Sequence, residues 1–368
     1  MRLLVDHGCN KNFGDIAMLE AVTLKLRKLH PSAAIRIVGH PPVSESIWND
    51  ARIEPTNCFD TTGEGYDRLH IAGGGNLNDL FMTLLQQKCT LMQSFLSEKK
   101  TVTLSGQQLG PFRSKVQEEK LMQILKQVAW TGVRDTESLK LCAQYGIDSK
   151  RCELTGDDSL GLAPATTSNT TSILNTCGLQ PKKFLAINVR IGTYTLEHRK
   201  HLPGIGTMFD ALSQKLSLPL LFVPISRNPI DDDRSAATEL AKHMHTRFHM
   251  LETEHRTASD IKEILGAATG CIGTSWHFCT FALTQGIPAL CLHGSDYYAQ
   301  KARGICSFWN DDRLAIPMEH TSEPSTVDRI AATLDDPELR TKLRKRSADA
   351  TRDWNASMDV RLRTSSYA

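Results

Sequence analysis

The sequence predicts an α/β protein of two domains, each a parallel sheet covered by helices on both faces. Three observations predict it. Short apolar runs alternate with longer amphipathic stretches along nearly the whole chain. That alternation breaks once, at a charge-poor stretch over 163–176, and then restarts. A length of 368 residues also suits two domains of roughly 150 residues each.

The first half opens on RLLV (2–5) as a strand. A helix follows from about Asp15, with Ile16, Leu19, Val22 and Leu26 on one stripe and Pro31 just past its end. IRIV (35–38), RLHIA (68–72), TVTLS (101–105) and WTGV (130–133) read as further strands, and CELTG follows. Helical patterns fall over 78–98, 115–128 and 135–145. APATTSNTTSILNT (163–176) reads as the linker. Beyond it, FLAINV (184–189), LLFVPI (220–225), CIG (271–273) and PALCLHG are strands. Helices are expected near 231–245, 258–267, 276–285, 325–334 and 337–352. The expected boundaries are 1–165 for an N-terminal domain, 177–340 for a second, and 341–368 for a C-terminal helix and tail packed back on the first. Two Rossmann-like domains in tandem make a cleft, and ligands of such sheets sit at the carboxyl ends of strands.

Composition narrows the function. A net charge of +2 with 43 basic and 41 acidic residues is too balanced for a dedicated nucleic-acid binder. No apolar run approaches the ~20 residues of a membrane span, and the N-terminus lacks the features of a signal peptide. The ten cysteines form no C-x-x-C pair and sit mostly in apolar surroundings, which suits reduced thiols in the cytosol and no structural zinc. His243, His245 and His249 lie close together but have no carboxylate or thiol completing a metal site nearby.

Four loops follow predicted strands. Asn10–Asp15 includes Asn12 and Gly14, and reads as a ligand-facing turn or as a tight turn with Asp15 capping the helix. Gly73-Gly74-Gly75-Asn76 places three glycines after a strand, which an ordinary turn rarely needs, so it reads as a ligand loop. Ser105–Phe112 offers Gln107 and Gln108 to a polyol, or is an ordinary Gly-Pro turn. Gly273-Thr274-Ser275-Trp276-His277 opens a helix and presents His277 for acid–base work or phosphate contact. Arg190 and Arg134 end strands, where a guanidinium grips an anion or enters a structural ion pair. Asp231–Asp233 begins a helix after Pro229, where acidic residues favour the dipole.

Six segments, in order, resemble the polysaccharide pyruvyltransferase family: NFGD (12–15), GGGNLNDL (73–80), SGQQLGPF (105–112), VRDTESLKLCAQYGI (133–147), LTGDDSLGL (154–162) and CIGTSWHFCTFALTQGIPAL (271–290). The resemblance implies a GT-B-like fold. It implies transfer of a pyruvyl group from phosphoenolpyruvate to two sugar hydroxyls as a ketal, in the building of an exopolysaccharide or cell-wall glycan. It implies no cofactor and no metal beyond that donor, because only protons and phosphate move. Arg190 matches a donor-binding arginine, and His277 matches the histidine of an Arg-x-His motif in which Ser275 stands for the arginine. Thr274 and Ser275 then join the donor side, with Arg227, Lys301 or Arg303 as replacement cations. Asp15 serves with His277 as a catalytic group, and Asn12, Gly14, Gly74, Gly75, Asn76, Gln107 and Arg134 face the acceptor. The acceptor is a sugar or glycan, free or lipid-linked, and the enzyme is cytoplasmic or peripheral to the membrane. The rival readings are a nucleotide-sugar glycosyltransferase of the same fold and a silent binding protein.

Overall fold

A computed structural model describes residues 1–38, 52–56 and 64–363. The chain divides into two compact units. The first comprises Met1–Asn10, Asp15–Leu162 and Ala350–Ala368; the second comprises Lys11–Gly14 and Ala163–Asp349.

The first unit is built on eight strands: β1 (Arg2–Asp6), β2 (Ala34–Val38), β3 (Ile53–Thr56), β4 (Arg68–Ile71), β5 (Gly74–Leu77), β6 (Thr101–Leu109), β7 (Trp130–Val133) and β8 (Cys152–Leu154). Their order is β3-β2-β1-β4-β6-β7-β8, with β5 paired to β6, and all pairs are parallel. The β-branched and leucine-rich runs predict this, because strands covered on both faces have no polar side to display. Leu69, Ile71, Val102, Leu104 and Val133 meet Leu85, Met92 and Phe95 of helix Met82–Ser97 in one core. Strand order reverses between β1 and β4, which is where such sheets hold ligands.

The second unit carries β9 (Leu185–Asn188), β10 (Leu220–Phe222), β11 (Phe248–Met250), β12 (Gly270–Gly273), β13 (Ala289–His293) and β14 (Ala315–Pro317). The order β11-β10-β9-β12-β13-β14 is again wholly parallel, and it reverses between β9 and β12. Helix Ala258–Gly266 starts with a capping box in which Thr257 and Asp260 satisfy each other's backbone amides.

Several expectations need correction. The stretch read as a linker contains the helix Thr167–Thr176 and belongs to the second unit, which resumes at Ala163. The C-terminal helix is one piece, Pro337–Arg363. From Ala350 it belongs to the first unit, as expected of the C-terminal segment: the Lys25 ammonium meets Asp359 at 3.1 Å and Arg361 meets Glu153 at 3.0 Å. Half of the glycine loop is strand β5, and strand β6 runs four residues past the predicted Ser105, through Gln107 and Gln108 to Leu109. The cysteines among the described residues are free thiols, as their apolar surroundings predict. No helix of the described residues is long and apolar enough to cross a membrane.

Candidate functional site

In the second unit, the carboxyl ends of β9 and β12 are bound to one another. The Arg190 amide donates to Thr274 Oγ1 at 2.8 Å, and Asn188 Oδ1 accepts from the Ser275 amide at 3.2 Å. Ser275 is the N-cap of helix Trp276–Leu283, so His277 is the helix's second residue. His277 is 6% exposed. Its ring lies against Gly14, where an added Cβ would stand 1.9 Å from Nδ1.

Gly14 reaches that ring because residues 11–14 are fastened to the second unit. Asn12 bridges Ser226 in antiparallel fashion, the Phe13 amide donates to the Ile225 carbonyl at 2.9 Å, and the Arg227 amide donates to the Lys11 carbonyl at 2.8 Å. The Asn12 side chain accepts from the Gly14 amide at 2.9 Å, so it shapes this turn. The Arg227 guanidinium sits 4.9 Å from the Phe13 ring centroid and donates to the Thr253 carbonyl at 3.2 Å. Thus His277 and Arg227 flank adjacent residues, Gly14 and Phe13. Of the other replacement cations, Lys301 is buried over the rings of Tyr297 and Tyr298 at 4.0 and 4.9 Å, and Arg303 is exposed.

Arg190 departs from its expected role. Its Nε and one terminal nitrogen hold both oxygens of Asp233 at 2.7 and 3.1 Å, and Asp231 lies at 3.7 Å. These carboxylates hold the guanidinium firmly charged despite its burial. Two carboxylates answer its charge, which is the ion-pair arrangement that a strand-end guanidinium also allows. The acidic run is correspondingly more than a helix start. Asp232 is the N-cap, as the dipole argument requires, whereas Asp233 also accepts from the amides of Ile225 and Ser226 and from Asn188 Nδ2. The Tyr194 hydroxyl and Ser226 Oγ donate to Asp231 at 2.8 and 2.7 Å.

In the first unit, Asp15 is partly exposed, and its Oδ2 accepts from the Cys9 amide at 2.7 Å. This closes the turn after β1, and a Cβ on Gly8 would stand 2.5 Å from the Asp15 carboxyl. Gln107 is fully buried, and its Nε2 donates to the carbonyls of Ala72 and Ser105, each at 2.8 Å. Arg134 is also buried, donating to Gln108 Oε1 at 2.6 Å and pairing with Asp157 at 3.2 Å. Gln107 Nε2 and the Arg134 guanidinium thus brace the sheet end from within. Asp135 caps helix Thr136–Gln144 by accepting from the Ser138 amide at 2.7 Å.

The glycine loop has a different cause from the one its sequence suggests. A Cβ on Gly73 would meet Met18 Sδ at 2.6 Å and Asp158 Oδ2 at 3.0 Å. Gly106, with φ +57°, would place a Cβ 2.8 Å from the Asp158 carboxyl carbon. Both glycines make room for that carboxyl group. Asp158 Oδ2 accepts from the Gly73 amide at 2.8 Å and from Ser105 Oγ at 2.5 Å, while Oδ1 accepts from Trp354 Nε1 at 2.8 Å. Behind Ser105, His70 places Nε2 3.0 Å from Ser105 Oγ and Nδ1 2.9 Å from Thr103 Oγ1. Sequence reasoning passed over this network, and the doubled aspartate of LTGDDSLGL was its one visible sign. Gly74, Gly75 and Asn76 lie in β5, with Gly74 buried and Gly75 and Asn76 half-buried, and Asn78 Nδ2 donates to the Gly75 carbonyl at 2.9 Å.

Burial drives the titration of this network. Desolvation pushes the Asp158 carboxyl up to about 7, against the lowering effect of its donors, and pushes His70 down to about 3. The folded carboxyl keeps its proton to higher pH than the unfolded one. Stability therefore falls as pH rises from about 4 to about 7 and is level above that. A shift of this size corresponds to about 4 kcal/mol. Urea unfolding of wild type and Asp158→Asn across pH 5–8 checks it: their stability difference must change with pH, and a constant difference refutes the shift.

Among the described residues, no group of three or more His, Cys, Asp or Glu side chains is arranged to hold a metal ion. His243, His245 and His249 are exposed and lie on both sides of the start of β11.

The sequence model of the polysaccharide pyruvyl transferase family matches residues 12–295. No curated protein matches the chain in sequence. Similar solved structures include a putative UDP-N-acetylglucosamine 2-epimerase from Listeria monocytogenes, at 14% identity and TM-score 0.66, covering 95% of this chain and 94% of that one. The UDP-GlcNAc 2-epimerase from Neisseria meningitidis, bound to UDP-GlcNAc, is 13% identical with TM-score 0.64, covering 95% and 98%. Anabaena Alr3699/HepE, in complex with UDP and glucose, is 12% identical with TM-score 0.62, covering 98% and 97%. At these identities the likeness is one of fold: two parallel-sheet α/β units of the GT-B type.

Proposed function

The chain belongs to the polysaccharide pyruvyl transferase family, and we propose that it moves the pyruvyl group of phosphoenolpyruvate onto two hydroxyls of one glycan sugar, giving a cyclic ketal and phosphate. The observation that carries this reading is the placement of His277 and Arg227 on neighbouring residues of one fastened turn. A donor with a carboxylate and a phosphate needs a cation, and its enol needs an acid.

The donor side is then His277, Arg227, Thr274 and Ser275 of the second unit. Arg227 takes the part of the cation that Ser275 leaves out, and Arg190 shapes the rim through its amide's bond to Thr274. The acceptor side is Asp15 with the loop at Gly74, Gly75 and Asn76. A proton added to C3 of the enol makes C2 electrophilic. The first sugar oxygen bonds to C2 as its O–H breaks. The C2–O bond to phosphate then breaks, and the second oxygen closes the ketal. Of the two hydroxyl protons, one balances the new C3–H bond and the other leaves with phosphate.

The test is phosphate release from phosphoenolpyruvate by the purified chain, with methyl hexosides bearing 4,6- or 3,4-diols as acceptors. Expected is acceptor-dependent phosphate release with a new ketal carbon and methyl group in the NMR spectrum of the sugar. Absence of calorimetric binding of phosphoenolpyruvate, with no release for any diol, defeats the reading.

A further inference from the structure

We infer that Asp158 is the positioning residue of the glycine loop: through the Gly73 amide it sets the loop that the reading above turns toward the acceptor, and a proton on its carboxyl slackens that hold while reversing the Ser105–His70–Thr103 hydrogen-bond chain. The loop's role rests on the proposed function; the chain reversal does not.

Asp158 is fully buried, yet it reaches donors 85, 53 and 196 residues away in sequence. The donors come from the glycine loop, β6 and the C-terminal helix. A Cβ at either 73 or 106 would crowd this carboxyl, 3.0 Å from Oδ2 at the first and 2.8 Å from Cγ at the second, so both glycines keep it seated against the loop. With the carboxylate ionised, every hydrogen has one direction. Thr103 Oγ1–H donates to His70 Nδ1, Nε2–H donates to Ser105 Oγ, and Ser105 Oγ–H donates to Asp158 Oδ2.

A proton arriving at Thr103 moves down this chain by one transfer per link. Thr103 passes its hydrogen to Nδ1, Nε2 passes its hydrogen to Ser105, and Ser105 passes its hydrogen to Oδ2. The result is a neutral acid donating to Ser105, with His70 still neutral and now carrying its hydrogen on Nδ1. Oδ2 then accepts from Gly73 as a neutral oxygen, a weaker partner than a carboxylate. Among the described residues, the charged and titratable groups around the carboxyl are these. Asp157 precedes it and pairs with Arg134, His70 stands behind Ser105, and the Trp354 indole faces Oδ1. Desolvation holds His70 neutral across this range, so its tautomer reports on Asp158 without its own ionisation intervening.

The experiment uses the full chain with ¹⁵N-labelled histidine and two readouts. Long-range ¹H–¹⁵N spectra from pH 5 to 9 are expected to show His70 passing from the Nδ1–H tautomer at low pH to Nε2–H at high pH, centred near neutrality. Kinetics are expected to show the acceptor KM rising about fivefold between pH 8 and pH 6, while the phosphoenolpyruvate KM stays within twofold. Ser105→Ala should uncouple the tautomer from pH. A single His70 tautomer throughout overturns the inference. So does an acceptor KM that is flat or moves in step with that of the donor. If the chain does not turn over phosphoenolpyruvate at all, the proposed reaction fails. The tautomer change and the pH-dependent shift of the Gly73 amide still decide the relay.

Discussion

Gly14→Ala is expected to abolish pyruvyl transfer about as completely as His277→Ala. Gly14 has an ordinary helical backbone, absent from the positive-φ residues, so alanine is no conformational burden in itself. The obstacle is contact. The new methyl would stand 1.9 Å from His277 Nδ1 and 2.0 Å from Cγ, and the ring must leave its place. Displacing a positioned acid by an ångström costs about 10²-fold, and removing it costs ~10²–10⁴-fold. Overpacking should also lower stability by about 1–3 kcal/mol. The double variant Gly14→Ala/His277→Gly separates the two effects, because it removes the ring and also the His277 Cβ that would stand 2.6 Å from the new methyl. Its stability should recover toward that of His277→Gly while activity stays lost. Full activity in Gly14→Ala would remove His277 from the chemistry.

Asp233→Asn is expected to be among the most destabilising substitutions in the second unit, by about 3–5 kcal/mol in urea unfolding. It leaves the buried Arg190 guanidinium with Asp231, at 3.7 Å, in place of a bidentate carboxylate, and weakens acceptance from Asn188 and the amides of Ile225 and Ser226. Arg190→Met should cost less, about 1–3 kcal/mol, because Asp233 keeps those three donors. Arg190→Met/Asp233→Leu should fall well short of the sum of the single losses, since a buried pair contributes little net stability over an apolar replacement. Equal and additive losses would show that the pair is not coupled. This also separates the structural reading of Arg190 from a donor-binding one. A donor-binding arginine would raise the phosphoenolpyruvate KM with little loss of stability.

Much of the architecture was legible in the sequence because strand signals are local. FLAINV is almost wholly apolar, and that alone predicts a buried parallel strand, while TVTLS shows a β-branched alternation with Val102 and Leu104 on one face. β3, β5, β11 and β14 were missed for the same reason in reverse. Ile53–Thr56 sets one apolar residue beside Glu54 and Pro55, which shows no strand period. Gly74–Leu77 reads as a loop, while Phe248–Met250 and Ala315–Pro317 are three-residue strands too short to show a period. The helix over 167–176 was hidden by threonines and asparagines, whose propensity favours turns until packing overrides it.

The sequence by itself determined the two parallel-sheet units, the motif order of the family, and the placement of His277 and Arg190 at strand ends. All of these follow from patterns spanning a few residues. Only the tertiary structure decided what the polar groups do there. It paired Arg190 with a carboxylate 43 residues on, and turned Gln107 and Arg134 inward. It also traced Gly73 and Gly106 to Asp158. A guanidinium or a glycine has the same sequence signature whether it awaits a ligand or already holds a partner. The difference lies in what the fold brings within 3 Å, because the desolvation cost of a buried polar group must be met by a neighbour that chain order does not reveal.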